Sequence, residues 1–377
     1  MISVLTLLTI AATPVSDGER ALILKPRFKF RVATGHQWDS NPSRAIGRIS
    51  RQGRPDTLIR ALVENELLVD VTRKDLVGAK YVLGAKRFFE AQTEDVVVHD
   101  LRLFASSALS RLFHAGLNGQ WRQSRVRVGR RDYDLVRGFG TLGLTPGHGL
   151  RLQGEAGFDS YGYPTEALRR LDYAGPWVGA RLSWRASRAL SLSTRAGYVW
   201  RGFKGNALAN AIDPRSNQVV VSFCDGTDPF PVSCVPQQRN DTEVQFRLRG
   251  EYRSSWLAGA EFMVRALRSN SVFEDFNRFR LRGWLTTPLP LGLILNVTGA
   301  LQIITLTDVS LTQVRYMPED DENQNSLKVA LSYPIADAFM IDARYELFAS
   351  DFQTNDEARF LRQTAFLGVS YQVGAGR

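Results

Sequence analysis

Long apolar runs are missing from this sequence. Its 377 residues are 44% hydrophobic and 23% charged, and beyond residues 1–12 no uninterrupted apolar stretch approaches the roughly 18 residues that a spanning helix needs. Inside a bilayer only helices and closed barrels satisfy every backbone hydrogen bond. Any membrane crossing by this chain is therefore expected to use β-strands.

Cysteine is also scarce. Cys224 and Cys234 are the only two, and they lie close together in one predicted loop. We predict a disulfide between them, which indicates an oxidising compartment such as the periplasm or the cell surface. Two unpaired thiols are the alternative.

Histidine is too rare to support a catalytic or metal site. The chain has 4 histidines, and no serine or carboxylate flanks His114 at a spacing typical of nucleophilic catalysis. No glycine-rich phosphate loop or nucleic-acid-binding module is present. We therefore predict that the protein is not an enzyme, has no cofactor or metal, and does not bind nucleic acid.

The chain is strongly basic, with a formal net charge of +10, and nearly all of its 48 cations are arginine. Arginine suits bidentate recognition of carboxylate and phosphate groups, but a GC-rich genome would produce the same bias. Both interpretations stay open.

The N-terminus resembles a secretory signal. Residues 1–12 form an apolar run that is followed by small residues and Pro14, although no basic segment precedes the run. We predict a signal peptide over residues 1–16 and a single domain over residues 17–377. A short buried strand at the N-terminus is the alternative.

Alternation of apolar and polar residues dominates the chain from Leu22 onward. In residues 242–253, Val244 and Phe246 alternate with Arg247 and Arg249, which is the period of a strand with one apolar and one polar face. The same pattern recurs at 58–72, 112–122, 190–200, 293–303 and 361–373. Counting all such segments predicts about 16 strands, with a range of roughly 14–18.

Strand and loop lengths distinguish a membrane barrel from a soluble β-protein. The segments are roughly 9–14 residues long, as a tilted strand across a membrane requires. Short connections are predicted at 73–78, 106–111, 145–149, 185–189, 254–255 and 286–291, and long ones at 39–55, 123–132, 159–171, 201–241, 305–325 and 349–359. This regular difference predicts an all-β fold: a single transmembrane antiparallel up-and-down β-barrel with short periplasmic turns and long extracellular loops.

Aromatic residues and the acidic stretch 319–322 fit an outer-membrane location. Aromatic rings near predicted strand ends are typical of membrane interfaces, and scattered surface aromatics are the alternative. The rings concerned are Trp38, Trp121, Trp184, Trp200, Tyr252 and Trp256. We expect contact with outer-membrane lipid and lipopolysaccharide. The acidic stretch is expected to be a solvated loop, with a shared divalent cation as the alternative.

Positively charged rows mark the predicted inner wall. We predict that twelve cations line the lumen and contact the permeant: Arg27, Lys29, Arg31, Arg60, Arg122, Arg195, Arg247, Arg249, Arg253, Arg278, Arg280 and Arg282. Such rows favour anionic permeants. Interspersed carboxylates leave open the alternative of a salt-bridged interior that only solvates the wall.

Residues 35–42, with the sequence Gly-His-Gln-Trp-Asp-Ser-Asn-Pro, resemble a stretch of barrels in polysaccharide-export and surface-assembly systems. The similarity is to poly-N-acetylglucosamine export porins and to myxobacterial exopolysaccharide export barrels, and the arginine-rich interior is similar to that of alginate exporters. This resemblance implies export of an anionic polysaccharide. The chain lacks the periplasmic helical repeats of some export porins, so separate periplasmic export proteins are implied as partners.

Three functions are therefore open from the sequence. The first is an outer-membrane channel for an anionic or polar polymer, specifically an exopolysaccharide. The second is a closed barrel that serves as a structural or assembly component of an envelope complex for motility or adhesion. The third is an anion-preferring diffusion porin, which differs from the first in the size of the solute that it admits.

Overall fold

The computed structural model describes residues 24–41, 55–127, 132–212, 219–222, 235–272, 274–306, 325–350 and 360–374. These residues form β-strands joined by turns and three short 3-10 helices, and none of those helices is long and apolar enough to cross a membrane. The strands are β1 (Lys25–Asp39), β2 (Asp56–Asp70), β3 (Asp75–Phe88), β4 (Val96–Ala108), β5 (Phe113–Val126), β6 (Tyr133–Gly147), β7 (Leu150–Gly162), β8 (Tyr173–Arg185), β9 (Leu190–Asn206), β10 (Ala209–Ile212), β11 (Val219–Ser222), β12 (Gln238–Arg253), β13 (Leu257–Ser269), β14 (Phe276–Pro288), β15 (Ile294–Leu306), β16 (Asn325–Ala336), β17 (Phe339–Ser350) and β18 (Phe360–Val373).

Sixteen of these strands close into one antiparallel barrel. Each barrel strand pairs with the next one along the chain, β9 pairs directly with β12, and β18 returns to pair with β1. Strands β10 and β11 form a separate two-stranded hairpin within the β9–β12 connection. The predicted fold class and strand number are confirmed.

The connections differ in length at the two ends of the barrel, as predicted. Short turns lie at the end that also contains the start of β1 and the end of β18, and we assign this end to the periplasm. Several predicted loop bounds were wrong because ladder pairing continues through residues that favour turns. Asp75 already pairs with Ser107, so β3 includes part of the predicted turn 73–78. The predicted loop 201–241 contains the end of β9, the hairpin and the start of β12.

Antiparallel pairing divides the barrel residues into two faces. Large apolar side chains on one face are exposed although no part of the described protein covers them, for example Leu142 at 60% and Leu301 at 67%. A face of this kind is stable only in contact with hydrocarbon. It is therefore the outer, lipid-facing surface, and the charged face lines the interior.

Aromatic residues lie near both edges of this outer face. Trp184, Tyr252 and Trp256 are exposed near the periplasmic turns, and Trp38 and Trp200 are exposed towards the extracellular end. Rings of this type collect at the two membrane–water interfaces of transmembrane barrels.

A buried ion pair closes the barrel where the first and last strands meet. Asp39 ends β1 and is fully buried, and Arg362 of β18 donates from Nε to its Oδ1 at 3.0 Å and from Nη2 to its Oδ2. Ser40 continues the junction, because its backbone N–H donates to the Gln363 carbonyl and its Oγ accepts from the Gln363 N–H. Asn41 donates its N–H to Asp39. Residues 39–41 of the resemblance motif therefore hold the barrel seam.

Candidate functional site: the inner wall

Cross-strand pairing places all twelve predicted lumen cations on the inner face. On β1, Arg27 forms an ion pair with Asp70 at 2.9 Å, and Arg31 pairs directly with Glu64. On β14, Arg282 pairs directly with Glu261 of β13. The same alternation places the remaining predicted cations on this face. Their contact with a permeant stays a prediction.

In the periplasmic half of the wall, cations are exposed and outnumber their carboxylate partners. Arg249 and Arg253 share the single carboxylate of Glu251, at 2.8 and 3.4 Å. Arg181 and Arg185 of β8 are exposed, and neither has a carboxylate partner among the residues that the structure describes. This half of the interior therefore presents guanidinium groups to water.

In the extracellular half, by contrast, one cluster of charges is buried and paired. Glu243 is 3% exposed and lies between Arg201 at 2.8 Å and Arg265 at 2.6 Å. Asp241 is held by Arg239 at 2.7 Å, and Arg278 is 1% exposed. Buried charges are tolerated when ion pairs and hydrogen bonds compensate for the loss of water. This part of the wall is packed like a protein core.

Stacked aromatic rings reinforce the packed region. Tyr161 lies 5.0 Å from Tyr133 and 5.4 Å from Tyr173, centroid to centroid, with nearly parallel rings in both pairs. The stack continues from Tyr173 to Phe203 at 5.3 Å, and the Arg201 guanidinium lies 5.3 Å from the Tyr173 ring centroid. Aromatic and cation–π contacts thus join strands β6 to β9 near the extracellular end.

Sequence reasoning missed several members of this wall. Arg137 of β6 binds Asp159 of β7 through two bonds of 2.8 and 2.7 Å, and Trp177 donates its indole N–H to the same carboxylate at 3.0 Å. Lys328 and Arg344 likewise contact Glu346. Their alternation with apolar neighbours was the signal that could have identified them.

The predictions for the disulfide, the acidic stretch 319–322 and His114 concern residues outside the charged wall clusters described above. Cys224, Cys234 and the acidic stretch 319–322 lie outside the described residues, so the disulfide stays a prediction. His114 faces the interior, where its Nε2 accepts a hydrogen bond from Arg151 Nε at 2.7 Å.

The base of the β9–β12 connection is fixed to the β13–β14 loop, since the Leu208 N–H donates to Ser271 Oγ and the Val272 N–H donates to the Leu208 carbonyl.

The closed barrel, its apolar outer face with aromatic edges and its charged interior define an outer-membrane β-barrel protein. No protein-family model matches the chain, and no curated protein matches it in sequence.

Solved structures share the barrel architecture. The chain aligns over 93% of its length with 100% of an anion-selective porin from Comamonas acidovorans, at 7% identity and a TM-score of 0.46. It aligns over 94% with 100% of OmpT of Vibrio cholerae, at 11% identity and a TM-score of 0.45. It also aligns over 92% with 98% of a bacterial polysaccharide outer membrane secretin, at 8% identity and a TM-score of 0.43. These similarities concern the fold alone.

Proposed function

We propose that this protein is an outer-membrane channel that passes an anionic or polar polymer, specifically an exopolysaccharide. The observation that carries the proposal is the excess of exposed guanidinium groups in the periplasmic half of the inner wall. A row of fixed positive charges in a water-filled conduit lowers the free energy of an entering anion and raises that of a cation. A 16-stranded barrel also has the circumference needed for an aqueous channel.

Export from the periplasm fits the distribution of these groups. An anionic chain that enters from the periplasm first meets Arg27, Arg185 and Arg253, which are all exposed. Their charge raises the local concentration of a polyanion before any specific contact forms. Exopolysaccharide as the polymer is supported by the resemblance of residues 35–42 to export barrels, and periplasmic export proteins would deliver the chain. Catalysis forms no part of this proposal.

Single-channel recording tests conduction. The purified full chain in a planar bilayer should give discrete current steps, and the reversal potential in a salt gradient should show preference for chloride over potassium. A uronic acid oligosaccharide should block the current, whereas a neutral oligosaccharide of the same length should block it less. Absence of conductance, or preference for potassium, would contradict the proposal.

A gene-deletion strain tests the identity of the cargo. Loss of an acidic polysaccharide from the cell surface, restored by the wild-type gene, is the expected result. An unchanged polysaccharide profile in a strain whose purified protein still conducts anions would instead favour the diffusion porin.

The packed extracellular half of the wall favours a second candidate, a closed structural barrel within an envelope complex. Glu243 with its two arginines, the buried Arg278 and the tyrosine stack occupy the interior as a core does. Such a barrel would give no current, and it would co-purify with a stable envelope complex from cells whose polysaccharide is unchanged.

A further inference from the structure

Three arginines lie side by side on consecutive barrel strands. Arg181 of β8 pairs directly with Arg195 of β9, and Arg195 pairs directly with Arg247 of β12. Directly opposed residues on one face of antiparallel strands have Cβ atoms about 4.5–5.5 Å apart, and like charges in that position repel. The arginine row, defined as Arg181, Arg195 and Arg247, therefore concentrates positive charge at one place on the inner wall.

Carboxylates neutralise this row only in part. Glu155 contacts Arg195 at 2.5 Å, and Glu261 approaches Arg247 at 3.7 Å. Arg181 is exposed and has no carboxylate partner among the residues that the structure describes. On the periplasmic side, Arg249 pairs directly with Ser193, adds further positive charge and is bound to Glu251. The row retains an excess of positive charge that an anion would offset.

The residues next to the row on both sides are small. On its extracellular side, Gly179 and Gly197 pair with each other, and the Glu155 carboxylate lies 3.9 Å from the position that a Cβ on Gly179 would take. On its periplasmic side, Ser183 and Ser193 pair with each other, and neither hydroxyl has a hydrogen-bond partner within the described part of the chain. Exposed guanidinium groups next to hydroxyl donors are the chemistry that binds oxyanions.

We infer that the arginine row, together with Ser183 and Ser193, is a binding site for an oxyanion group. The shared ligand chemistry is a carboxylate or sulfate, and its source is either an acidic sugar unit of the permeant or a free inorganic anion. Guanidinium N–H groups of Arg181 and Arg247 donate to the anion, and the serine hydroxyls donate from the periplasmic side. This inference rests on the proposed function for the identity of the permeant, while binding itself does not require conduction.

Thermal unfolding of the detergent-solubilised full chain tests the site at equilibrium. At constant ionic strength, replacement of chloride by sulfate should raise the unfolding midpoint with a saturable dependence on concentration, because a ligand that binds only the folded state stabilises it. A uronic acid trisaccharide should do the same if the site takes a sugar carboxylate, and a neutral trisaccharide should not. A response to sulfate alone supports a site for free inorganic anions.

Two substitutions of one residue make the test specific. Arg181→Gln should weaken sulfate binding at least tenfold. Arg181→Glu should abolish binding, because it replaces a guanidinium donor with a carboxylate that repels the anion.

Arg87→Gln is the control for loss of one exposed arginine, since Arg87 lies on the outer face of β3 beside Ile59, and it should respond to sulfate as the wild type does. Equal responses of the wild type and Arg181→Gln would overturn the inference, whether or not the barrel conducts. Normal binding in a barrel that gives no current would overturn only the proposed channel.

Discussion

Asp39 and Arg362 illustrate how a buried pair of charged residues can serve the structure of a barrel that also carries exposed ion pairs. Both side chains are almost completely buried, at 0% and 3% exposure, whereas the pair of Arg27 and Asp70 on the same first two strands is 47% and 34% exposed. Removal of one partner from a buried pair leaves an uncompensated charge, while an exposed pair is screened by water. Loss of one partner is therefore expected to destabilise the protein more at the buried ion pair than at the exposed one.

Asp39→Ala should destabilise the barrel by about 3–5 kcal/mol, because Arg362 then remains buried without its carboxylate. The matched control is Asp70→Ala, which should cost at most about 1 kcal/mol, since Arg27 is solvated. Urea unfolding in detergent, followed by the heat-modifiable mobility of the folded barrel on gels, measures both values. Equal losses in the two variants would show that the seam pair has no special role.

Arg282 provides a residue-level test of selectivity. It is exposed on the inner face, and its direct cross-strand neighbours are Glu261 and Ala300. Arg282→Glu should reduce the chloride-to-potassium permeability ratio, because it reverses a fixed charge on the route of the ion. Arg87→Glu is the control, since Arg87 is exposed on the outer face beside Ile59, and its reversal potential should match that of the wild type. Equal shifts in both variants would mean that the ions do not pass along the inner wall.

At the scale of strands, the alternating pattern predicted the overall architecture more accurately than it predicted where each strand begins and ends. Period-two alternation and loop lengths gave the strand number, the closed barrel and the inner face, because a face between water and hydrocarbon imposes strict patterning. Ends were misplaced wherever residues that favour turns, such as Gly78 or Thr145, still pair with a neighbouring strand or lie within one. Residue type alone does not show whether a ladder partner is present.

The contacts among inner residues in the extracellular half could not be predicted from the sequence, for a different reason. Tyr161 and Tyr173 have the same alternation as solvated inner residues, and only the register of β7 and β8 brings them face to face. Likewise, Arg181 opposes Arg195 only because β8 and β9 pair in one particular register. The seam partner of Asp39 lies at the other end of the chain, where no local pattern points to it.

The β9–β12 connection gives a prediction at this scale. Deletion of residues 209–234 should leave the folded fraction unchanged, because the β9–β12 ladder and the hydrogen bond from Gln238 Nε2 to the Phe203 carbonyl remain. Deletion of 202–241 should lower the folded fraction, because it removes Phe203 from the aromatic stack and the Asp241 carboxylate that accepts a hydrogen bond from Ser269 Oγ. Heat-modifiable gel mobility compares the two variants. Equal behaviour would mean that the ends of these strands do not contribute to the barrel.

On the scale of the whole molecule, the interior is divided along its axis. The periplasmic half has an excess of exposed guanidinium groups, and a cluster of buried, paired charges with stacked rings lies in the extracellular half. Exposed cations in excess of their carboxylate partners act on a permeant over a distance, whereas the charges of a buried, balanced pair largely cancel each other. Selectivity and capture of anions are therefore expected to arise near the periplasmic mouth.

Salt should weaken this selectivity. The Debye length falls from about 10 Å at 0.1 M to about 3 Å at 1 M salt, so fixed charges on the wall affect less of the lumen. We expect the chloride-to-potassium permeability ratio, measured from reversal potentials in planar bilayers, to fall towards 1 as potassium chloride rises over that range. A ratio independent of salt would place the origin of selectivity in pore size instead of charge.

The junction of β1 and β18 has a consequence for assembly. Asp39 and Arg362 are 323 positions apart in the chain, so the carboxylate has its guanidinium partner only when the last strand is present and paired with the first. A polypeptide that stops before its final strand lacks Arg362, so burial of the Asp39 carboxylate would leave it without a cationic partner. Stable closure of the barrel therefore depends on a residue in the last strand to be synthesised.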